Sequence, residues 1–183
     1  FFSACFPEIS YDGKYMLFTG QIKKDETWQI WEMELHNLKY RKITSFKENC
    51  TDPAYLPGGR LLFSKLTVND TVKSAHCLYT CNLDGSGLNQ ITFSPNDNFA
   101  TTVLKDGRLL TVSRQLLPDQ GDPMLTVMRP DGTKADMFYR GAKGNTLVSG
   151  AHETADGKIV FIESDKESLL AGRLVSISYN RPL

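Results

Sequence analysis

No apolar run in these 183 residues approaches the roughly 20 that an α-helix needs to cross a bilayer, so no helical membrane span is expected. An excess of charge of one sign is also missing, since 21 Lys and Arg face 21 Asp and Glu. Nucleic acid and anionic membranes both call for a net basic face, so neither is the expected partner. Histidine is scarce at three residues, and His36 and His76 lack a second histidine at ligand spacing, which leaves zinc without support. The chain has no Cys-x-x-Cys and no Cys-x-x-Cys-His, which removes zinc-ribbon and haem-attachment readings. No Gly-x-Ser-x-Gly elbow marks a serine nucleophile. Gly85-Ser86-Gly87 reads as turn geometry and not as a phosphate cradle, because no helix follows it. No stretch has a convincing helical period: apolar residues alternate or come in short blocks, broken about every 8 to 12 residues by turn residues.

What the chain does have is a repeated phrase. Tyr11-Asp12-Gly13-Lys14, Pro57-Gly58-Gly59-Arg60, Lys105-Asp106-Gly107-Arg108 and Ala155-Asp156-Gly157-Lys158 each make a tight glycine turn, followed by a basic residue and an apolar, strand-like run. The copies recur at roughly 46 to 50 residues, the period of propeller blades. A second column of turns, at His36, Asp84, Asp131 and Tyr179, marches in step with the first. Each of the first three repeats supplies four extended segments. In the first these are Phe6–Ser10, Tyr15–Thr19, a run beginning at Trp28, and Tyr40–Thr44, with Phe1 to Ala4 as linker. The expected fold is therefore all-β: a β-propeller of four-stranded antiparallel blades over residues 1–45, 46–93, 94–141 and 142–183. A hydrophobic content of 40% is enough for a core in one such domain. The fourth copy stops before an outer strand, so a larger ring of six to eight blades is expected, with a complete four-bladed ring as the alternative. The loops Thr67–Ser74 and Gln115–Pro123 are longer than their counterparts and are candidate binding loops.

The four cysteines give no staple by spacing. Cys77 and Cys81 lie on one strand about 13 Å apart, too far for a disulfide. Cys5 and Cys50 fall at nearly equivalent points of successive repeats, which admits either a disulfide or two buried free thiols. Phe2-Ser3-Ala4-Cys5 has the form of a lipobox, although a strand begins directly after it and no charged or apolar signal region is seen. Asn49-Cys50-Thr51 and Asn69-Asp70-Thr71 fit the N-glycosylation triplet, a pattern frequent by chance.

The repeats resemble the TolB-type propeller phrase Pro-x-x-Ser-Pro-Asp-Gly-Lys, in Pro7-Glu8-Ile9-Ser10-Tyr11-Asp12-Gly13-Lys14 and again in Asp84 to Thr92. Asp52 to Phe63, and Phe93 to Arg108, are similar to the propeller of bacterial proteins resembling the hydrazine synthase alpha subunit. The resemblance implies an exported bacterial protein, periplasmic or on the cell surface, that works through protein contacts and assembles into a larger envelope complex. It carries over neither haem chemistry nor any other cofactor, because the haem-attachment motif is missing from these residues.

Candidate binding residues follow from the blade geometry. Inner strands line the central channel of a propeller, which puts His152 with Glu153, Glu8, Asp52 and Asp97 forward. The three acids would form a rim for a cation or a basic peptide. Neighbouring strand residues point to opposite faces, so His152 and Glu153 do not easily serve one site. Trp28 and Trp31, three apart, face opposite ways, one filling the space between blades and the other exposed as a contact anchor. Gly13, Gly59, Gly107 and Gly157 are turn residues expected at positive φ. No catalytic residue and no metal site is assigned. The sequence favours a non-catalytic platform for a protein or peptide, with an accessory domain of a haem-type enzyme, or a carbohydrate-binding or carbohydrate-acting propeller, as alternatives.

Overall fold

Glycine turns and alternating strands build the four expected sheets. The computed structural model describes residues 1–68, 74–141, 145–147, 150–165 and 172–179, and its regular structure among these is entirely strand. The first sheet runs in chain order through β1 (Ser3–Ile9), β2 (Tyr15–Gln21), β3 (Gln29–Glu34) and β4 (Tyr40–Lys42). The second holds β5 (Cys50–Leu56), β6 (Arg60–Thr67), β7 (Ala75–Asn82) and β8 (Asn89–Gln90). The third holds β9 (Asn96–Val103), β10 (Leu109–Gln115), β11 (Met124–Met128) and β12 (Asp136–Tyr139). In the fourth, β13 (Asn145–Leu147) and β14 (His152–Glu153) both pair with one side of β15 (Lys158–Asp165), and β16 (Arg173–Ser178) with the other. Every pairing is antiparallel, and the strand order is that of a propeller blade. Two of the expected boundaries shift. β1 already begins at Ser3, inside the expected linker, and Trp28 precedes β3 instead of lying in it.

The repeated phrases have identifiable jobs. Gly13, Gly59, Gly107 and Gly157 have φ of 70°, 73°, 83° and 77°, in the left-handed region where a side chain is strained. The Gly107 amide donates to the Leu104 carbonyl at 2.8 Å, closing the turn, and a Cβ there would meet nothing within 4 Å. Conformation, not crowding, selects glycine. At the far end of the first two repeats, the Thr44 and Thr92 hydroxyls accept from the Ile30 and Leu78 amides at 2.8 Å, fixing the outer edge to the third strand. A bulge interrupts each of the first three inner strands, where Phe6, Asp52 and Ala100 sit at φ of 52°, 52° and 50°.

Residues 1–94 and 95–183 form two compact units, each with two blades around its own core. In the first, Leu17 and Ile30 of one blade meet Tyr55, Leu61, Phe63, Cys77, Tyr79 and Cys81 of the next. In the second, Leu110, Val112 and Leu125 meet Ile159 and Phe161. Period-2 alternation makes this work: Leu61 and Phe63 point at the preceding blade while Leu62, also fully buried, points away from it. Full burial of such a side chain contributes about 1.5–3 kcal/mol.

All four cysteines are free. The Cys5–Cys50 pairing fails for a reason of register. Cys5 lies opposite Thr19, whose counterpart in the second blade is Ser64, and Ser64 lies opposite Thr51. Cys50 is thus one residue out of step with Cys5 and faces the other side of its strand. Burial pushes the Cys50 thiol up to about 12 and the Cys81 thiol up to about 11, leaving both as small core hydrophobes.

Candidate functional site

A cleft of about 660 Å³ lies in the first unit, where the glycine turns of its two blades come together. Tyr11, Tyr15, Tyr55, Leu56, Pro57 and Leu83 give it a mostly apolar, aromatic lining. Strand and turn geometry place each ring. Tyr11 stands at the tip of the β1–β2 turn, 72% exposed, and its hydroxyl donates to the Tyr55 carbonyl at 3.0 Å, tying one blade to the next. Tyr15 opens β2, and Tyr55 is buried near the end of β5.

The floor is polar but already occupied. Glu32, on β3 and 6% exposed, accepts from Arg41 Nε at 2.9 Å and Nη2 at 2.6 Å through Oε2. Its Oε1 accepts the Tyr55 hydroxyl at 3.1 Å. Burial first, then the Glu32 charge and hydrogen bond, push the Tyr55 phenol well above its ordinary range, so it stays protonated and serves as a donor. Arg41 remains half-exposed, its side chain 52% accessible. Its charge also reaches Asp84, whose carboxyl is held below the usual range chiefly by hydrogen bonds from Ser86. Asp12, on the rim, is lowered mainly by the Ser10 hydroxyl and the Lys14 amide. With the buried acid and phenol and the half-exposed base locked together, the floor is built to hold shape more than to move protons.

Of the binding residues singled out by sequence, none lines the cleft, although Glu8 lies beside it. Glu8 is on β1 opposite Leu17, on the face turned to the second blade, and its charge acts on Tyr11. Burial pushes its carboxyl up, and none of the hydrogen bonds or ion pairs among the described residues engages it. Asp52 occupies the bulge of β5 and accepts the Thr51 hydroxyl at 3.1 Å. Asp97 lies in the second unit, 6% exposed, with its carboxylate on Arg114 at 2.9 Å; it is a buried pair, not a rim group.

His152 is on the inner strand as expected and is exposed, while Glu153 accepts the Lys105 amide at 2.8 Å and staples the third blade to the fourth. Neither tryptophan is an exposed anchor. Trp28 is half-buried, its amide donating to Asn49 Oδ1 at 3.0 Å and its carbonyl accepting from Cys50. That bond also engages the Asn49 side chain of the first glycosylation triplet; the second, at Asn69, lies outside the described residues, as does most of the Thr67–Ser74 loop. Trp31 is half-buried among Phe1 and Tyr40, with Lys42 over its ring at 5.7 Å.

Sequence reading missed Tyr11, Tyr15, Tyr55, Glu32 and Arg41. One signal was present: Tyr11 stands where the TolB-type phrase carries proline, and a large aromatic is not what a turn tip itself requires.

No family model matches the chain. Hydrazine synthase subunit alpha of Kuenenia stuttgartiensis is 23% identical, over 99% of this chain and 30% of that protein. The chain therefore spans under a third of the curated relative it matches. Among solved structures, Kuenenia stuttgartiensis hydrazine synthase superposes with a TM-score of 0.81 at 23% identity, over 98% of this chain and 32% of the other. TolB from Acinetobacter baumannii gives 0.74 at 18% identity, over 96% and 40%. The chain shares the β-propeller fold of both.

Proposed function

We propose that this chain, with the propeller fold it shares with TolB and hydrazine synthase, is a non-catalytic scaffold of an exported bacterial protein and binds a protein or peptide partner. The observation that carries this is the tyrosine-lined cleft: three rings at one blade junction, over a floor whose polar groups already satisfy one another. Rigid aromatics give a large contact area at little entropic cost, and a volume of about 660 Å³ lies in the range of ligand sites. Export, to the periplasm or the cell surface as part of an envelope complex, follows from the sequence resemblance. No helix among the described residues is long and apolar enough to cross a membrane.

Selection of displayed peptides on the intact chain tests this reading. Enriched peptides should lose binding at least tenfold on Tyr11→Ala, which removes an exposed ring and one hydrogen bond. Failure to enrich any peptide that depends on Tyr11 would end it. A second reading, an accessory propeller within a larger enzyme, is favoured by the match to one segment of a much longer relative. Cys-x-x-Cys-His motifs elsewhere in the same reading frame would support it.

A further inference from the structure

Charge around the cleft is not balanced. Four carboxylates, Glu8, Asp12, Glu32 and Asp84, lie on or beside it, against Lys14 and Arg41. Arg60 follows the second turn, but strand alternation puts it on the opposite face of its sheet, where it donates to Thr80. Arg41 is held by Glu32 and lies close to Asp84, and Lys14 lies 3.6 Å from Asp12 as an exposed pair that water screens, so both cations are already engaged. Glu8 is half-buried and has no cation beside it among the described residues.

We infer that the cleft takes the basic side chain of a bound peptide, its aliphatic stem against Tyr11, Tyr15 and Leu83 and its cationic head toward Glu8 and Asp12. This rests on the peptide-binding reading and adds the chemistry of the ligand. The same unit holds a worked example of such a site. Lys65 packs its ammonium 5.2 Å from both the Phe46 and Tyr79 ring centres and 3.4 Å from Glu48 Oε2, with only 13% of its side chain exposed. Rings and a carboxylate around an alkylammonium are what the cleft offers to an incoming one.

The test uses three labelled hexapeptides, identical except for lysine, norleucine or glutamate at the third position (Ala-Leu-X-Leu-Ala-Gly), with affinity read by fluorescence anisotropy. The lysine peptide should bind at least tenfold tighter than either partner. The double variant Glu8→Gln, Asp12→Asn keeps every side-chain shape and should abolish that preference, so that the lysine and norleucine peptides bind it equally. Three equal affinities that depend on Tyr11 would overturn this inference and leave the peptide cleft standing. A lysine preference that survives the double variant would overturn it too. Failure of all three peptides to bind also sinks it, and the display selection then decides whether the cleft reading falls as well.

Discussion

Lys65 in the first unit and Glu163 in the second occupy the same place in their blades. Leu62 lies opposite Ala54 and Val160 opposite His152, and three residues further along the same strands come Lys65 and Glu163, each facing the preceding blade. One site is cationic and the other anionic, Glu163 buried and Lys65 largely so. Lys65 has two rings and Glu48. Glu163, 2% exposed, has Arg173 at 2.8 and 3.2 Å and the Tyr139 hydroxyl at 3.4 Å. A cation can lie against ring faces with a single counter-ion, whereas a carboxylate needs donors on both oxygens. The repeat thus fixes a buried slot between blades and leaves the sign of its charge free, provided the neighbours change with it.

Exchanging the two residues breaks that provision and carries the largest expected effect. Lys65→Glu would set a carboxylate beside Glu48 and against two ring faces, and Glu163→Lys would set an ammonium beside Arg173. Each should cost about 3–5 kcal/mol, the cost of an uncompensated buried charge, measured by urea denaturation of the single variants. A cost below about 1 kcal/mol for either would show that the slot is wetter than it looks.

Truncating one partner sharpens the contrast. Arg41→Met leaves Glu32, 6% exposed, with only the Tyr55 hydroxyl, and should cost about 2–3 kcal/mol, somewhat less than a fully buried pair because Arg41 itself is half in water. Lys65→Met should fall within about 1 kcal/mol of neutral, since the rings accept a thioether and Glu48 can rehydrate. Equal costs would mean that the carboxylate and ammonium slots do not differ in kind.

The turns should behave alike in both units. Valine at Gly13 or at Gly107, both at positive φ with open space around the missing Cβ, should cost about 1–2 kcal/mol each through backbone strain alone. Thermal melts of the two variants would check the equality, and a marked asymmetry would show that one turn has slack the other lacks.

The period of the glycine phrases was legible from the chain because turns and alternation are local properties: residue type sets φ, and φ sets the corner. The cleft was not legible, since its parts are 44 residues apart in sequence and meet only when one blade packs on the next, as with Tyr11 on the Tyr55 carbonyl. Asp97 misled for the same reason. An aspartate in a polar stretch just after a turn reads as solvated until Arg114, 17 residues on, is seen to cover it. Register decided the cysteines, where a single residue of offset separates a pairing from its absence.

Glu8 carries the smallest effect and the most specific one. Its carboxyl is pushed up from 4.5 by burial, so the native state holds a proton at pH values where the unfolded chain has lost it. Folding is therefore favoured below that window, and stability falls as pH rises from about 4.5 through the raised native value. Glu8→Gln removes the ionisation. It should raise the urea midpoint slightly at pH 7, leave it unchanged at pH 3.5, and flatten the pH profile between. Asp97→Asn should instead lose stability, because Asp97 has Arg114 at 2.9 Å where Glu8 has no cation among the described residues. An unchanged profile for Glu8→Gln would mean that the carboxylate beside the cleft is compensated after all, and a basic ligand would gain nothing by meeting it.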